Sequence, residues 1–290
     1  MDQVARRMTP APSTVAVTLD RATFRYAGAH DDAVHDVSMS VGAGEVVAVA
    51  GQSGSGKSTL ARLVTGLLRP TSGAVHVAGL DTRQVATQRV ARHAGLVYQH
   101  PGHQLFAATV SEELRLGPRN AGVGDAEATE RAREVARALA VEDVLDAHPR
   151  ELPIGTRKRV AIAAILAMRP RVLVLDEPTV GQDPADVRRV SDVIQDQAAR
   201  GTSVLIVSHE LRFVSRVADR VVVLAAGRVR RDGATPDVLA DRASLDSAGL
   251  DPPPLVDLAL ALHLRAPSGV PVTVEEVVDA IARPRAGGRP

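Results

Sequence analysis

The stretch Glu45-Val-Val-Ala-Val-Ala50 followed by Gly51-Gln52-Ser53-Gly54-Ser55-Gly56-Lys57-Ser58-Thr59 decides the fold. An apolar run short enough for a buried strand enters a glycine-rich turn, and Leu60 to Leu68 then carries apolar side chains at helical spacing. The order is strand, phosphate-binding loop, helix. Gly51, Gly54 and Gly56 are expected to take positive φ and bend the backbone N–H groups inward around a phosphate chain, at the positive end of the helix. Lys57 then reaches the β- and γ-phosphates, and the Ser58 hydroxyl is a ligand of Mg²⁺. A chance glycine-serine turn is the alternative; the strand before it and the helix after it argue for nucleotide binding.

Composition sets bounds around this centre. A chain of 290 residues can bury one sizeable core with a smaller subdomain or extension. The formal charge of +1 gives no field that argues for nucleic acid, and none is expected as a partner. Cysteine is absent, so disulfides and Cys-based zinc sites are excluded. The histidines are scattered without metal-ligand spacing. No signal peptide is read in Met1 to Met8, and the longest apolar run, Val160 to Met168, is about half of what a bilayer crossing needs. Any membrane association is expected to come through a partner.

Outward from the loop, Val15 to Leu19 and Val37 to Val41 alternate as half-buried antiparallel strands do. Tyr26 lies between them and reads either as strand packing or as a ring that stacks on a nucleobase. Ala74 to Ala78 and Gly95 to Gln99 read as further strands, and residues 110–168 as helix-rich, with an amphipathic segment at Ala126 to Ala140 and a more buried one at Arg157 to Met168. Arg171-Val-Leu-Val-Leu-Asp-Glu177 is an apolar run, as in a strand buried on both faces, ending in two carboxylates. Ser203 to His209 repeats the design with a terminal histidine, and Val221 to Val229 reads as a hairpin. Helical patterns return at Leu255 to Leu264 and Val272 to Ala282. Catalytic groups of open α/β sheets sit at such carboxyl ends. Asp176 suits Mg²⁺, Glu177 suits a general base that activates water, and His209 suits contact with the γ-phosphate.

This set resembles an ATP-binding cassette (ABC) ATPase over nearly the whole chain. Gly51 to Thr59 matches the Walker A motif, Val172 to Asp176 the Walker B motif, and Glu177 the catalytic glutamate. Gln99 matches the Q-loop glutamine, Gly181-Gln-Asp183 the D-loop and His209 the H-loop histidine. Tyr26 falls where the family stacks an aromatic ring on adenine. The resemblance implies ATP and Mg²⁺ as ligands, with Ser58, Gln99 and Asp176 around the metal. It also implies a RecA-like parallel α/β core with an antiparallel β subdomain, a helical subdomain and a small C-terminal helical extension. The expected boundaries are a flexible tail at 1–13, the ATPase domain at 14–236 with its helical subdomain at about 105–168, and the extension at 237–290 with a disordered end.

Within that family the segment Gln99 to Gly122, the motif Ala248-Gly-Leu-Asp-Pro-Pro-Pro254 and the closing Thr273-Val-Glu-Glu-Val-Val278 are similar to energy-coupling factor (ECF) transporter ATPases. The resemblance implies two ATPase subunits beneath a transmembrane scaffold subunit, with a separate substrate-binding membrane subunit, and so a place at the cytoplasmic face of the membrane. Leu105, Phe106, Glu112 and Glu113 are the candidate docking residues; a solvated helix face is the alternative for the two acids. A conventional ABC importer or exporter ATPase and a soluble ABC ATPase are the alternatives for the chain. One motif departs: Leu152-Pro153-Ile154-Gly155-Thr156 stands where the family has Leu-Ser-Gly-Gly-Gln. Pro153 removes a hydroxyl and a backbone N–H from a motif that closes on the ATP of the opposite subunit. A heterodimer with an intact-signature partner is therefore favoured over a homodimer.

Overall fold

The computed structural model describes residues 15–282. The expected tail at 1–13 and disordered end from 283 lie outside the described residues. From the N-terminus the elements are β1 (Val15–Phe24), β2 (Val34–Gly42), β3 (Val46–Ala50), α1 (Lys57–Val64), β4 (Ser72–Val77), β5 (Leu80–Asp81), α2 (Thr87–Ala91) and β6 (Ala94–Val97). Then come α3 (Val110–Asn120), α4 (Asp125–Ala138), α5 (Ile154–Ala167), β7 (Val172–Asp176), α6 (Pro184–Ala199), β8 (Ser203–Ser208) and α7 (Leu211–Val217). The hairpin β9 (Arg220–Ala225) and β10 (Arg228–Ala234) follows, and then α8 (Thr235–Ala240), α9 (Arg242–Ser247), α10 (Pro254–Ala261) and α11 (Val274–Ala282).

Two sheets form. One is antiparallel, in the order β2-β1-β4-β5; the other runs β10-β9-β3-β8-β7-β6 and is parallel except for β10. The central strands read as continuous apolar runs because each faces two cores. Val46, Ala48 and Ala50 of β3 and Leu173 and Leu175 of β7 join the core shared with α3, α5 and α6. Their neighbours Val47, Val49, Val172 and Val174 join the other core, which packs α1 and the antiparallel sheet on the opposite face. Alternate residues of a strand point to opposite faces, so one short apolar run serves both cores.

The helix after the phosphate loop is displaced from the sequence expectation. It begins at Lys57, because Lys57, Ser58 and Thr59 turn helical directly after Gly56, and it stops at Val64. Gly66 adopts φ 69°, and the Leu67 and Leu68 N–H groups both donate to the Arg62 carbonyl, closing the helix end. The β6 strand likewise ends at Val97, two residues before Gln99, which leaves the glutamine in a loop at the edge of the sheet.

Candidate active site

The carboxyl ends of β3, β7 and β8 converge on an open cleft of about 420 Å³. Tyr26, Lys57, Ser58, Gln99, Asp176, Glu177 and His209 line it, together with Ser53, Gly54, Gly56 and Thr59 of the loop. The sequence had scattered these residues over more than 180 positions, and the parallel sheet brings them together.

In the loop, Gly54 and Gly56 take φ 80° and 104°. Gly51 does not, contrary to the expectation from sequence; its bare Cα is needed because a Cβ would stand 2.2 Å from the Leu224 carbonyl oxygen. The Lys57 ammonium folds over the loop and donates to the carbonyls of Gly51 (2.6 Å) and Gln52 (2.8 Å). Burial pulls its pKa below the usual lysine value, against the opposing pull of Glu177 and Asp176. Tyr26 sits at the rim with its hydroxyl 3.1 Å from Thr59 Oγ1 and its ring edge-on to Phe24, centroids 4.9 Å apart. Part of the ring stays exposed.

Asp176 is buried, and burial pushes its carboxyl above the usual value, while a hydrogen bond with Ser58 acts the other way. Its Oδ1 is buried with no hydrogen-bond partner. An orphaned carboxylate oxygen beside a serine hydroxyl is a hard-oxygen donor set that fits Mg²⁺, whose charge would offset the cost of burying the carboxylate. Gln99, exposed on the same cleft, supplies a further amide oxygen at its edge.

Glu177 follows with φ 48°, uncommon for a residue with a side chain, and its N–H donates to the Val207 carbonyl at 2.8 Å. This turn departs from the strand direction directly after Asp176, so the two carboxylates serve different places. Ser208 Oγ donates to Glu177 Oε2 at 3.0 Å, and His209 Nδ1 lies 2.7 Å from Oε1. With the proton on Nδ1 the imidazole donates to the carboxylate and keeps Nε2 as an acceptor. The buried Glu177 carboxylate is thus fixed at both oxygens by consecutive residues at the end of β8.

The altered signature leads into α5. Pro153 is the N-cap residue and provides no side-chain hydrogen bond to the helix end. Ile154 is half exposed and rests on Gly181, where a Cβ would come within 2.9 Å of Ile154 Cγ2. Gly155 packs on the Gly181 carbonyl just as closely, a Cβ there standing 2.7 Å from the oxygen. Asp183 caps α6, accepting the N–H groups of Ala185 and Asp186 at 2.8 Å, with the hydrogen bond from the Asp186 backbone N–H the main cause of its lowered pKa. Leu152 is buried and Thr156 lies in the first turn of α5.

The basic run Arg157-Lys-Arg159 turns inward to backbone carbonyls. Arg157 donates to Arg150 and Leu152, and Arg159 to Leu139 and Ala140. Lys158 has no solvent exposure and donates to the carbonyls of Tyr98 (3.0 Å) and Gln99 (2.7 Å). Burial lowers its pKa to about 8, against the pull of Asp176 and Glu177. It ties the helix of the altered signature to the backbone of Gln99 at the cleft. The sequence reading missed this role. The available signal was that Lys158, Ile162 and Leu166 fall on one helical stripe, which would have placed a lysine in the core.

The candidate docking residues separate. Leu105 is buried, and Glu113, also buried, accepts the N–H groups of Phe106 (2.7 Å) and Ala107 (2.8 Å). Glu113 is thereby corrected from a docking acid to a clamp for the loop before α3. Phe106, at 70% exposure, and the exposed Glu112 face outward.

The family model described as ABC transporter matches residues 34–180. The energy-coupling factor transporter ATP-binding protein EcfA2 of Symbiobacterium thermophilum is 42% identical over 260 residues, covering 88% of this chain and 90% of the relative. The cobalt import ATP-binding protein CbiO of Rhodobacter capsulatus is 40% identical, covering 88% and 92%. Halalkalibacterium halodurans has two similar proteins, named EcfA2 (39% identical; 87% of this chain, 92% of the relative) and EcfA1 (36%; 91% and 95%). Among solved structures, cbiO1 from Clostridium perfringens, described as part of the ABC transporter complex cbiONQ, aligns with TM-score 0.72 at 28% identity, covering 86% of this chain and 97% of that one. A dimeric bacterial ABC transporter cassette aligns with TM-score 0.69 at 26% identity, covering 76% and 98%.

Proposed function

Since the chain belongs to the ABC transporter family and, within it, to the energy-coupling factor type of ATP-binding subunit, we propose that it binds MgATP in the cleft and hydrolyses it to power substrate uptake through a membrane transporter complex. The observation that carries this reading is Glu177, a buried carboxylate held at both oxygens beside Asp176 and Lys57. The loop N–H groups and Lys57 bind the phosphate chain, and the Tyr26 ring offers a face to the base. Ser58, Asp176 and Gln99 would hold Mg²⁺, which supplies charge neutralisation to the β- and γ-phosphates. Glu177 orients a water and takes its proton. His209, hydrogen-bonded to that carboxylate, keeps it in place and lines the cleft where the terminal phosphate would lie.

Glu177→Gln should lower turnover by about 10²–10⁴ while MgATP still binds, and Lys57→Ala should weaken binding itself. Wild-type turnover by Glu177→Gln within the assembled complex would sink the reading.

The assembly is a pair of ATPase subunits on the cytoplasmic face of the membrane, attached through a transmembrane scaffold subunit that works with a substrate-binding membrane subunit. Support comes from the dimeric cassette that the fold matches and from the absence, among the described residues, of a helix long and apolar enough to cross a membrane. Phe106 and Glu112 face the scaffold. Phe106→Ala with Glu112→Lys should uncouple hydrolysis from transport and leave nucleotide affinity unchanged; unchanged transport and assembly would remove them from that role. A heterodimer is the better fit to the altered signature, and the occurrence of relatives named EcfA1 and EcfA2 in one organism supports unlike subunits.

A further inference from the structure

The phosphate loop is touched from an unexpected direction. Gln52, directly after Gly51, points its amide at residue Gly249, 197 positions further along, and Nε2 donates to the Gly249 carbonyl at 2.9 Å. The contact is close as well as polar: a Cβ on Gly249 would stand 1.6 Å from Gln52 Nε2 and 2.2 Å from Cδ. The amide therefore occupies the space that a side chain at this position would fill.

The Gly249 end of this contact is rigid. Gly249 follows the short helix α9 with φ 61°, its N–H donating to the Asp246 carbonyl, while the Ala248 and Leu250 N–H groups both donate to Leu245. This is a helix end closed by a left-handed glycine. Leu245, Ala248 and Leu250 are buried in the main core, so the turn that offers the carbonyl cannot swing away without exposing them. The turn continues into Asp251, and Gln52, Ser53, His209, Gly249 and Asp251 line one cleft adjoining the nucleotide site. His209 is shared by both clefts.

We propose that the Gly249 turn of the C-terminal segment is a positioning element of the nucleotide site, holding the phosphate loop through Gln52 and coupling the state of that segment to MgATP binding. The proposal rests on the cleft being the nucleotide site. Gly249 is suited to this in two ways: it takes a backbone conformation that costs other residues energy, and it leaves the space that the Gln52 amide fills. Coupling is reciprocal, so whatever orders or moves the C-terminal segment changes nucleotide affinity, and nucleotide changes the stability of the segment.

The test uses the purified full chain and a fluorescent ATP analogue with Mg²⁺. Gly249→Asn introduces a Cβ while keeping a residue that tolerates the left-handed region. It should push the Gln52 amide toward Ser53 and His209 and lower affinity about fivefold or more. In the Gln52→Ala background the same substitution should have little effect, since the amide that it displaces is gone. Equal losses in both backgrounds, or none in either, would overturn the coupling. Hydrogen exchange of the wild type gives a readout that needs no variant: the Gly249 and Leu250 amides should gain protection when MgATP is added, and unchanged protection with nucleotide bound would also overturn it. Failure of the wild type to bind the analogue would instead remove the nucleotide reading, and the proposal with it.

Discussion

The phosphate loop and the signature loop of this chain, which the proposed pair would close on two different nucleotides, are built to different standards. The loop from Gly51 to Thr59 has its lysine, a serine beside Asp176 and a glutamate fixed at both oxygens across the cleft. The signature from Leu152 to Thr156 starts its helix on a proline with no hydroxyl and no N–H, and lays Ile154 over Gly181. Both loops lead into helices packed on the same parallel sheet, so the scaffold is not the cause of the difference. In the proposed assembly, the residues that would act on this chain's own ATP match the family motifs, and those it would offer to a partner are altered. In a pair of unlike subunits that division yields one fully equipped site, built on this chain's phosphate loop, and one impaired site.

The largest effect expected from this contrast is at Pro153 and Ile154. Replacing Pro153→Ser and Ile154→Gly restores a hydroxyl, an N–H and a bare backbone, and one preorganised donor can be worth about 10²–10³ in rate. Turnover at the partner's nucleotide, measured with this chain's own site silenced, should rise toward that factor. An unchanged rate would break the claim that the signature limits that site.

A smaller effect is expected at the joint between the two regions. Lys158→Met removes the donor that links α5 to the Tyr98 and Gln99 carbonyls while keeping the volume of an unbranched chain. Groups that orient a metal-side residue from behind contribute about 10- to 100-fold. Turnover should fall by at least the lower figure, with MgATP affinity changing much less. An equal loss in both would make Lys158 a fold residue only.

The smallest effect concerns stability. Glu113→Ala strands the Phe106 and Ala107 N–H groups and should lower unfolding free energy by about 1–3 kcal/mol in denaturant titrations. Glu112→Ala, on the exposed face of the same turn, should cost less than about 1 kcal/mol. Equal costs would return Glu113 to the surface.

These residues also show where the sequence was readable. The phosphate loop and the strand-end acids could be identified because their chemistry demands particular residue types at fixed spacing beside apolar runs. Glu113 could not, since an acid in the first turn of a helix looks the same in sequence whether its carboxylate meets solvent or turns back onto the preceding loop. Lys158 was hidden by its charge, which suggests a surface until its backbone acceptors are seen. The start of α1 was placed late because Lys57, Ser58 and Thr59 carry no apolar periodicity. The Gln52 to Gly249 contact joins positions that only the folded chain brings near each other.

The division between the two loops is tested most directly by silencing one catalytic glutamate at a time in the assembled ATPase pair and measuring steady-state ATP hydrolysis. Glu177→Gln in this chain should remove most of the activity, because in the proposed pair Glu177 would serve the site closed by the partner's signature, and the matching change in the partner should remove little. Equal losses from the two substitutions, or full activity from a homodimer of this chain alone, would contradict the account.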